Sequence, residues 1–432
     1  MLATASQEYI DKVLKKYQHF MEIVLEANAY NYELADEGIC YINGVLEQFC
    51  RDEDLDEVYL LIRLIERRID AYNPDRKDDF IEEIEALNGN FCETGIRVYP
   101  RYEPGWDTAK SERKRARTFN AYFSNYIIVR TENMEPFEIT AHVLHEEGIL
   151  KGDEMALRIA LSPVTDTAVL ECRIDKKEQG DTVLVEGVQN RIEVTGRILS
   201  TFQELFYQDY SFIIFPEALG TEQLVSDMQA IMRCRPDIYT FVLVPTICGN
   251  GQNVLTVLGP GGIKFIEQSK VTPFYLQDKE GGMYREYLQY TRQIHVLMTR
   301  EMGNIVFPIC ADFLDPDYYR VIENVILADT VLCPSLSPGN QAFFKQLIKG
   351  ASSAMLCVWI NSCSAKELSK KGTVPEPVFA LQLPNYEVEE SLYYSGRICD
   401  GECSSRYCYI DIELVHKKGK FVLGREIKFC CA

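Results

Sequence analysis

FPICADFLDPD, residues 307–317, decides how the rest of the chain is read. The run leading into it, NIVFPIC (304–310), is apolar and β-branched and is reached through the Gly303-Asn304 turn, so it predicts a strand ending at Cys310. Beyond it Asp315 can cap a helix, Pro316 suits the first helical position, and Asp317 favours the positive end of the dipole. Tyr318, Ile322, Val325 and Ile326 then recur at helical spacing. Cys310 therefore stands where a strand gives way to a helix, with the carboxylate of Asp312 two residues on. Backbone amides at such a junction stabilise a thiolate and can later stabilise an oxyanion. A free cysteine is ordinarily a small buried apolar residue. With 15 cysteines in the chain, Cys310 is a candidate nucleophile only if other residues support it.

Size and charge narrow the classes. A chain of 432 residues has room for two domains, and a hydrophobic content of 47% builds a sizeable core. Acidic side chains outnumber basic ones 65 to 45, a formal net charge of −20, which repels phosphate backbones and anionic lipid. Nucleic-acid binding is thus not expected, and the basic run KSERKRAR (110–117) reads as a solvated face. The opening MLATASQEYIDKVLKKY is amphipathic and charged, and no apolar run is long enough to span a bilayer. A reduced, cytoplasmic protein without membrane attachment is expected. Cys399, Cys403, Cys408, Cys430 and Cys431 lack the paired CxxC spacing of zinc sites, and only five histidines exist. No metal is expected.

Residues 1–150 read as a mainly helical domain. Apolar stripes recur from Ile10 to Leu25, from Ile39 to Phe49 and from Val58 to Ile65, and RKDDFIEEIEAL (76–87) resembles a fourth helix. Probable-strand patterns follow at NYIIVRT and PFEITAHVL, with no chemical motif. From 154 to 432 the pattern becomes strands alternating with helices, as in a layered α/β domain. RIALSPV is a strand, 166–188 has the look of an inserted hairpin, and NRIEVTGRILSTFQELF is a helix. YSFIIFPEALG is a strand that breaks at Pro216 and presents Glu217. A hairpin turning at 259–262 leads to Lys270, and a second ends at Cys310. TVLCPS, AMLCVWINS, FALQLP and RYCYIDIEL add further strands, and the loops around 246–252, 334–345 and 361–375, with Phe343 and Phe344, are expected to shape a pocket.

Four residues sit where strands run out into loops: Glu217, Lys270, Glu286 and Cys310. As a set they supply a nucleophile, a carboxylate to take its proton and an ammonium to hold a tetrahedral oxyanion. Singly, Glu217 reads as a cap for the helix near 221, and Lys270 as a surface lysine beside Glu267. His295 lies within a strand and reads as an ordinary sheet residue, so no Cys–His pair is expected.

With these residues on the page, 154–420 resembles the carbon–nitrogen hydrolase (nitrilase/amidase) superfamily. IIFPEALG resembles the strand carrying that family's catalytic glutamate, VLGPGGIKFIEQSKVTPF its lysine hairpin, and IVFPICADFLDPDYYR its nucleophile strand and following helix. The order Glu–Lys–Cys and separations of 53 and 40 residues suit the pattern. The family's second glutamate matches Glu286 in YREYLQY best, with Glu280 and Glu301 as alternatives. Cys-Ala-Asp at 310–312 departs from the Cys-Trp-Glu of true nitrilases, which favours amide over nitrile chemistry.

The resemblance implies an α/β fold, a four-layer αββα sandwich, carrying the additional helical N-terminal domain. It implies a hydrolase of non-peptide amide-type carbon–nitrogen bonds acting through a cysteine thioester, with no metal or organic cofactor. Glu217 is the implied base, Cys310 the nucleophile, Lys270 with the amide of Ala311 the oxyanion site, and Glu286 the residue that positions Lys270. Asp312 is read as supporting the helix start. An acyltransferase using the same thioester, or a regulatory or binding module of this fold, are the other classes. A small amide-type substrate, a homodimer formed through the helix after Asp315, and a protein partner for residues 1–150 complete the expectations.

Overall fold

The computed structural model describes residues 15, 96–102, 126–144, 147–152, 154–175, 181–277, 282–351, 353–368, 377–384, 392–394, 407–417 and 420–431. The chain divides into two compact units, Met1–Pro100 with Phe119–Ile128, and Arg101–Thr118 with Val129–Ala432. In the first, the described residues are Lys15, the strand Ile96–Pro100, and residues 126–128 of the strand Tyr126–Arg130. The helical stripes expected from 10 to 87 lie outside the described residues, Lys15 apart. Cys399 and Cys403, on which the zinc spacing turned, lie outside them too.

The second unit is a mixed α/β, sheet-rich fold, consistent with a nitrilase-like sandwich. Short runs of uninterrupted apolar residues, FII at Phe212–Ile214 and FVL at Phe241–Leu243, are buried on both faces, as parallel central strands require. They pair in parallel with each other, and Phe212–Ile214 also pairs in parallel with Leu157–Leu161, at the centre of a nine-stranded sheet. The hairpin Gln252–Gly259 and Ile263–Ser269 forms one side of that sheet. Helices Arg191–Phe206 and Glu222–Arg233 cover it, laying Ile198, Phe202, Leu224 and Met228 on Ile213 and Val242.

A seven-stranded sheet runs Leu392–Tyr394, Phe379–Gln382, Leu356–Asn361, Thr330–Ser335, Gly303–Val306, Gln293–Thr299, Glu138–Leu144. The two sheets meet through Gln268, whose Oε1 accepts from the His295 amide and whose Nε2 donates to the Gln293 carbonyl, both at 2.9 Å. The expected start of this domain at 154 is too late. Glu138–Leu144 pairs in parallel with Gln293–Thr299 over seven residues, so the sheet already includes it.

Three local expectations are also corrected. The nucleophile strand ends at Val306 rather than Cys310, because Pro308 has no N–H to offer the ladder. Cys310–Leu314 then forms a single 3₁₀ turn before Asp315 caps Pro316–Arg320, its Oδ1 accepting from the amides of Asp317 and Tyr318 at 3.0 Å each. The helix widens at once, with the Ile326 amide bonded to the Val321 carbonyl. Tyr318, Tyr319, Ile322, Val325 and Ile326 are all buried within the single chain, so this helix has no apolar surplus to argue for a dimer. Finally, Gln341–Ala351 is a helix where a pocket loop was expected. Phe343 stacks on Trp359 at 5.0 Å and Phe344 meets its edge, so both rings serve the core.

The tight turn before the nucleophile strand depends on one glycine. Gly303 has φ +65°, and a Cβ there would lie 2.2 Å from Asp329 Oδ2, the atom that accepts the Asn304 amide. Gly303→Ala should therefore destabilise the fold by about 1–3 kcal/mol from backbone strain alone. The check is urea unfolding, where a lowered midpoint is expected and an unchanged one contradicts the account.

Candidate active site

The chain leaves the nine-stranded sheet at Ile214 and folds tightly through Phe215–Gly220 onto Val244–Thr246. The Ala218 amide donates to Thr246 Oγ1 at 2.8 Å, and the Gly220 amide to the Thr246 carbonyl at 3.0 Å. Any Cβ at Gly220 would sit 2.0 Å from the Pro245 carbonyl oxygen, so only glycine allows this approach. Glu217 is thereby turned inward and is 3% exposed. It is not a helix cap. Thr221 takes that task, its Oγ1 accepting from the Leu224 amide at 3.1 Å.

Lys270 follows the hairpin strand Ile263–Ser269 and is 1% exposed, while the surface pairing with Glu267 belongs to Lys264. Its Nζ lies 2.8 Å from Glu217 Oε1 and 2.8 Å from Glu286 Oε2. The Phe274 ring lies 4.9 Å from the same ammonium. Glu286 ends the strand Met283–Glu286 of a four-stranded sheet, and Oε2 also accepts from the Phe274 amide at 3.1 Å. The hairpin at 166–188 has a purpose here. Its strand Thr182–Val188 pairs in parallel with Met283–Glu286, placing Val183 opposite Glu286.

The lone pairs of Glu217 can be counted. Oε1 accepts from Lys270 Nζ and from Asn253 Nδ2, each at 2.8 Å, while among the described residues Oε2 accepts only from the Leu336 amide at 2.8 Å. A carboxylate oxygen offers two lone-pair sites, so Oε1 is full and Oε2 retains one. Cys310 is buried at φ +49°, in the left-handed region. Asp312 ties its turn to the lysine loop. Oδ1 accepts from the amides of Val271 at 3.0 Å and Thr272 at 2.7 Å, and Oδ2 accepts from that of Ile309 at 3.2 Å. Burial still pushes the Asp312 carboxyl up to about 7, against the pull of Lys270 and these amides.

No family model matches the chain, and no curated protein matches it. Solved structures similar to it include the glutamine-dependent NAD+ synthetase from Acinetobacter baumannii, at 14% identity over 63% of this chain and 48% of that one, TM-score 0.43. A mutant of the Nesterenkonia AN1 amidase from the nitrilase superfamily matches at 15% identity over 56% and 86%, TM-score 0.36. The C. elegans NitFhit protein matches at 13% identity over 54% and 57%, TM-score 0.37. The chain spans about half the length of the synthetase.

Of the four expected site residues, Glu217 and Glu286 each contact Lys270 directly, and the charges of Glu217 and Lys270 act on the buried Cys310 thiol. Of the alternatives to Glu286, Glu301 is spent on the amides of Gly148, Ile149 and Leu150, and Glu280 lies outside the described residues. His295 faces His142, with Nδ1 and Nε2 2.9 Å apart, and takes no part in the cluster. Asn253 and the Leu336 amide were not foreseen. Asn253 leaves a trace in the sequence, a lone amide opening the run NVLTVLG, whereas a backbone N–H leaves none.

One electrostatic expectation is reversed. Burial, and then the Glu217 charge, hold the Cys310 thiol well above its usual range, against the pull of Lys270 and the Leu336 amide. At neutral pH Cys310 is therefore a thiol. For Lys270, burial opposes the charge but Glu217 and Glu286 outweigh it, so the ammonium persists. Alkylation of Cys310 by iodoacetamide in the free protein should accordingly be slow at neutral pH and climb on the alkaline side of an ordinary thiol. Glu217→Gln removes the neighbouring negative charge and should move that profile to lower pH. Peptide mapping of alkylated Cys310 across pH checks this, and a fast, pH-independent reaction at neutrality contradicts it.

Proposed function

We propose that this protein is a carbon–nitrogen hydrolase of amidase type, acting through a thioester on Cys310. The observation that carries the reading is the buried Lys270 ammonium, 2.8 Å from both Glu217 and Glu286, beside a carboxylate oxygen with one lone pair left and a buried thiol. The catalytic unit is read as a four-layer αββα sandwich, supported by sheets of nine and seven strands with helices packed on each.

The chemistry follows from the count of donors and acceptors. With the thiol protonated at rest, attack needs proton removal as the substrate carbonyl arrives, and Glu217 Oε2 is the acceptor with capacity. Sγ bonds to the carbonyl carbon, and the developing oxyanion is met by the Lys270 proton not taken by the two glutamates and by the Ala311 amide. Glu217 then returns its proton to the nitrogen, the carbon–nitrogen bond breaks, and the amine leaves a thioester. Water, activated by the same Oε2, releases the acid and restores the thiol. Glu286 holds Lys270 from the opposite side, so the ammonium does not follow Glu217 as it changes charge.

Three substitutions should fail differently. Cys310→Ala should abolish the covalent adduct. Lys270→Ala should lower turnover on the order of 10²–10³-fold, as for removal of one oxyanion donor. Glu217→Gln should stall proton transfer and leave thioester where deacylation suffers more than acylation. The test is a panel of amides and ureido compounds read by amine release, with intact-protein mass spectrometry of the adduct. Full activity in Cys310→Ala, or an adduct on another cysteine, would overturn the reading.

A further inference from the structure

Asn253 carries an observation that this reaction leaves unused. It lies in the strand Gln252–Gly259, is 3% exposed, and its Nδ2 donates to Glu217 Oε1 at 2.8 Å. A carboxylate can only accept, so the side-chain amide is fixed with nitrogen towards Glu217 and Oδ1 turned away. That Oδ1 is buried and, among the described residues, has no hydrogen-bond partner. The two heteroatoms of an amide are roughly 2.2 Å apart. The orphan acceptor therefore stands immediately beside the proposed base.

Unpaired buried carbonyl oxygens are uncommon, and each asks what supplies the missing donor. Across the antiparallel pair Asn253 faces Cys248. Cys248 packs with Val185, Ala218, Leu336 and Ala365, whose side chains hold no strong donor. The Lys270 ammonium and the Leu336 amide are directed at Glu217. None of these groups is bonded to Oδ1, and the missing donor is assigned to what binds there.

We propose that Asn253 is both the positioning residue for Glu217 and a specificity determinant, its Oδ1 accepting an N–H of the scissile carboxamide. The site then takes primary and secondary amides in preference to esters of the same acyl group. The inference rests on the amidase reading. In acylation Sγ bonds to the carbonyl carbon, the thiol proton passes through Glu217 Oε2 to the nitrogen, and the carbon–nitrogen bond breaks. The amine departs carrying that proton together with the hydrogen it had presented to Asn253. An ester leaves Oδ1 unpaired, and that loss is the basis of discrimination.

Two matched probes separate the possibilities: p-nitroacetanilide, which has the N–H, and p-nitrophenyl acetate, which lacks it. Single-turnover acetylation of Cys310 in the full chain is followed by absorbance and by intact mass. The wild-type protein should react with both. Asn253→Leu should lose reaction with the anilide on the order of 10²-fold, and with the ester no more than about tenfold. Equal losses on both probes, or none, overturn the proposal. A wild-type protein acetylated by the ester alone also overturns it while leaving the thioester reading in place. Acetylation by neither overturns the amidase reading and this inference with it. Asn253→Asp provides a second route should the leucine variant fail to fold. Neutral aspartic acid offers an O–H to Glu217 and a carbonyl to the ligand, whereas its anion repels Glu217. Its anilide rate relative to wild type should recover as pH falls from about 8 to about 5, and a flat ratio overturns the proposal.

Discussion

A lysine ammonium held out of water between two carboxylates is the constraint around which this unit is built. Burying one charge alone is strongly unfavourable, and even a paired charge in low dielectric is held only where geometry and further hydrogen bonds compensate its desolvation. Here both carboxylates have backbone donors of their own, Glu217 from Leu336 and Glu286 from Phe274. The aromatic face of Phe274 adds to the pairing of Lys270. No two members of the trio come from the same strand or hairpin. The arrangement exists only once the nine-stranded sheet, the Lys270 hairpin and the four-stranded sheet have assembled.

The same burial accounts for the resting state of the nucleophile. Burial first, and then the Glu217 charge, hold the Cys310 thiol well above its usual range, against the pull of Lys270. On the proposed reaction such a site does not rely on a standing thiolate, and the lone pair left on Glu217 Oε2 becomes the feature that matters. Asp312, first read as support for the helix, does more. By collecting amides from both the lysine loop and the cysteine turn, it ties the loop after Lys270 to the turn that carries Cys310.

Packing elsewhere follows the same economy. The apolar stripe after Asp315 and the Phe343 ring are buried in the interior, and Phe344 packs half-buried on the edge of Trp359. The half-buried pair His142 and His295 sits away from the reacting groups. Burial holds both imidazoles below their usual range, His295 to about 4, which keeps them neutral.

What the chain's residues determined by themselves was that Glu217 follows a strand, Lys270 a hairpin, and Cys310 precedes a capped helix, each placed by a local signal. Pro216 breaks a strand before Glu217, the glycine-rich turn at 259–262 leads to Lys270, and the cap at Asp315 marks the end of the Cys310 turn. Such signals are legible because turn, cap and strand preferences act over a few residues. Glu286 could be narrowed to three candidates only, since its selection rests on a parallel pairing with a hairpin about a hundred residues earlier in the chain. The strand at Glu138–Leu144 was assigned to the wrong domain for the same reason, its partner lying far along the sequence. The reversed thiol, the full Oε1 and the orphan Oδ1 of Asn253 belong to tertiary structure alone. They arise from desolvation and from donors that a folded backbone brings in, such as the Leu336 amide, which no side-chain pattern records.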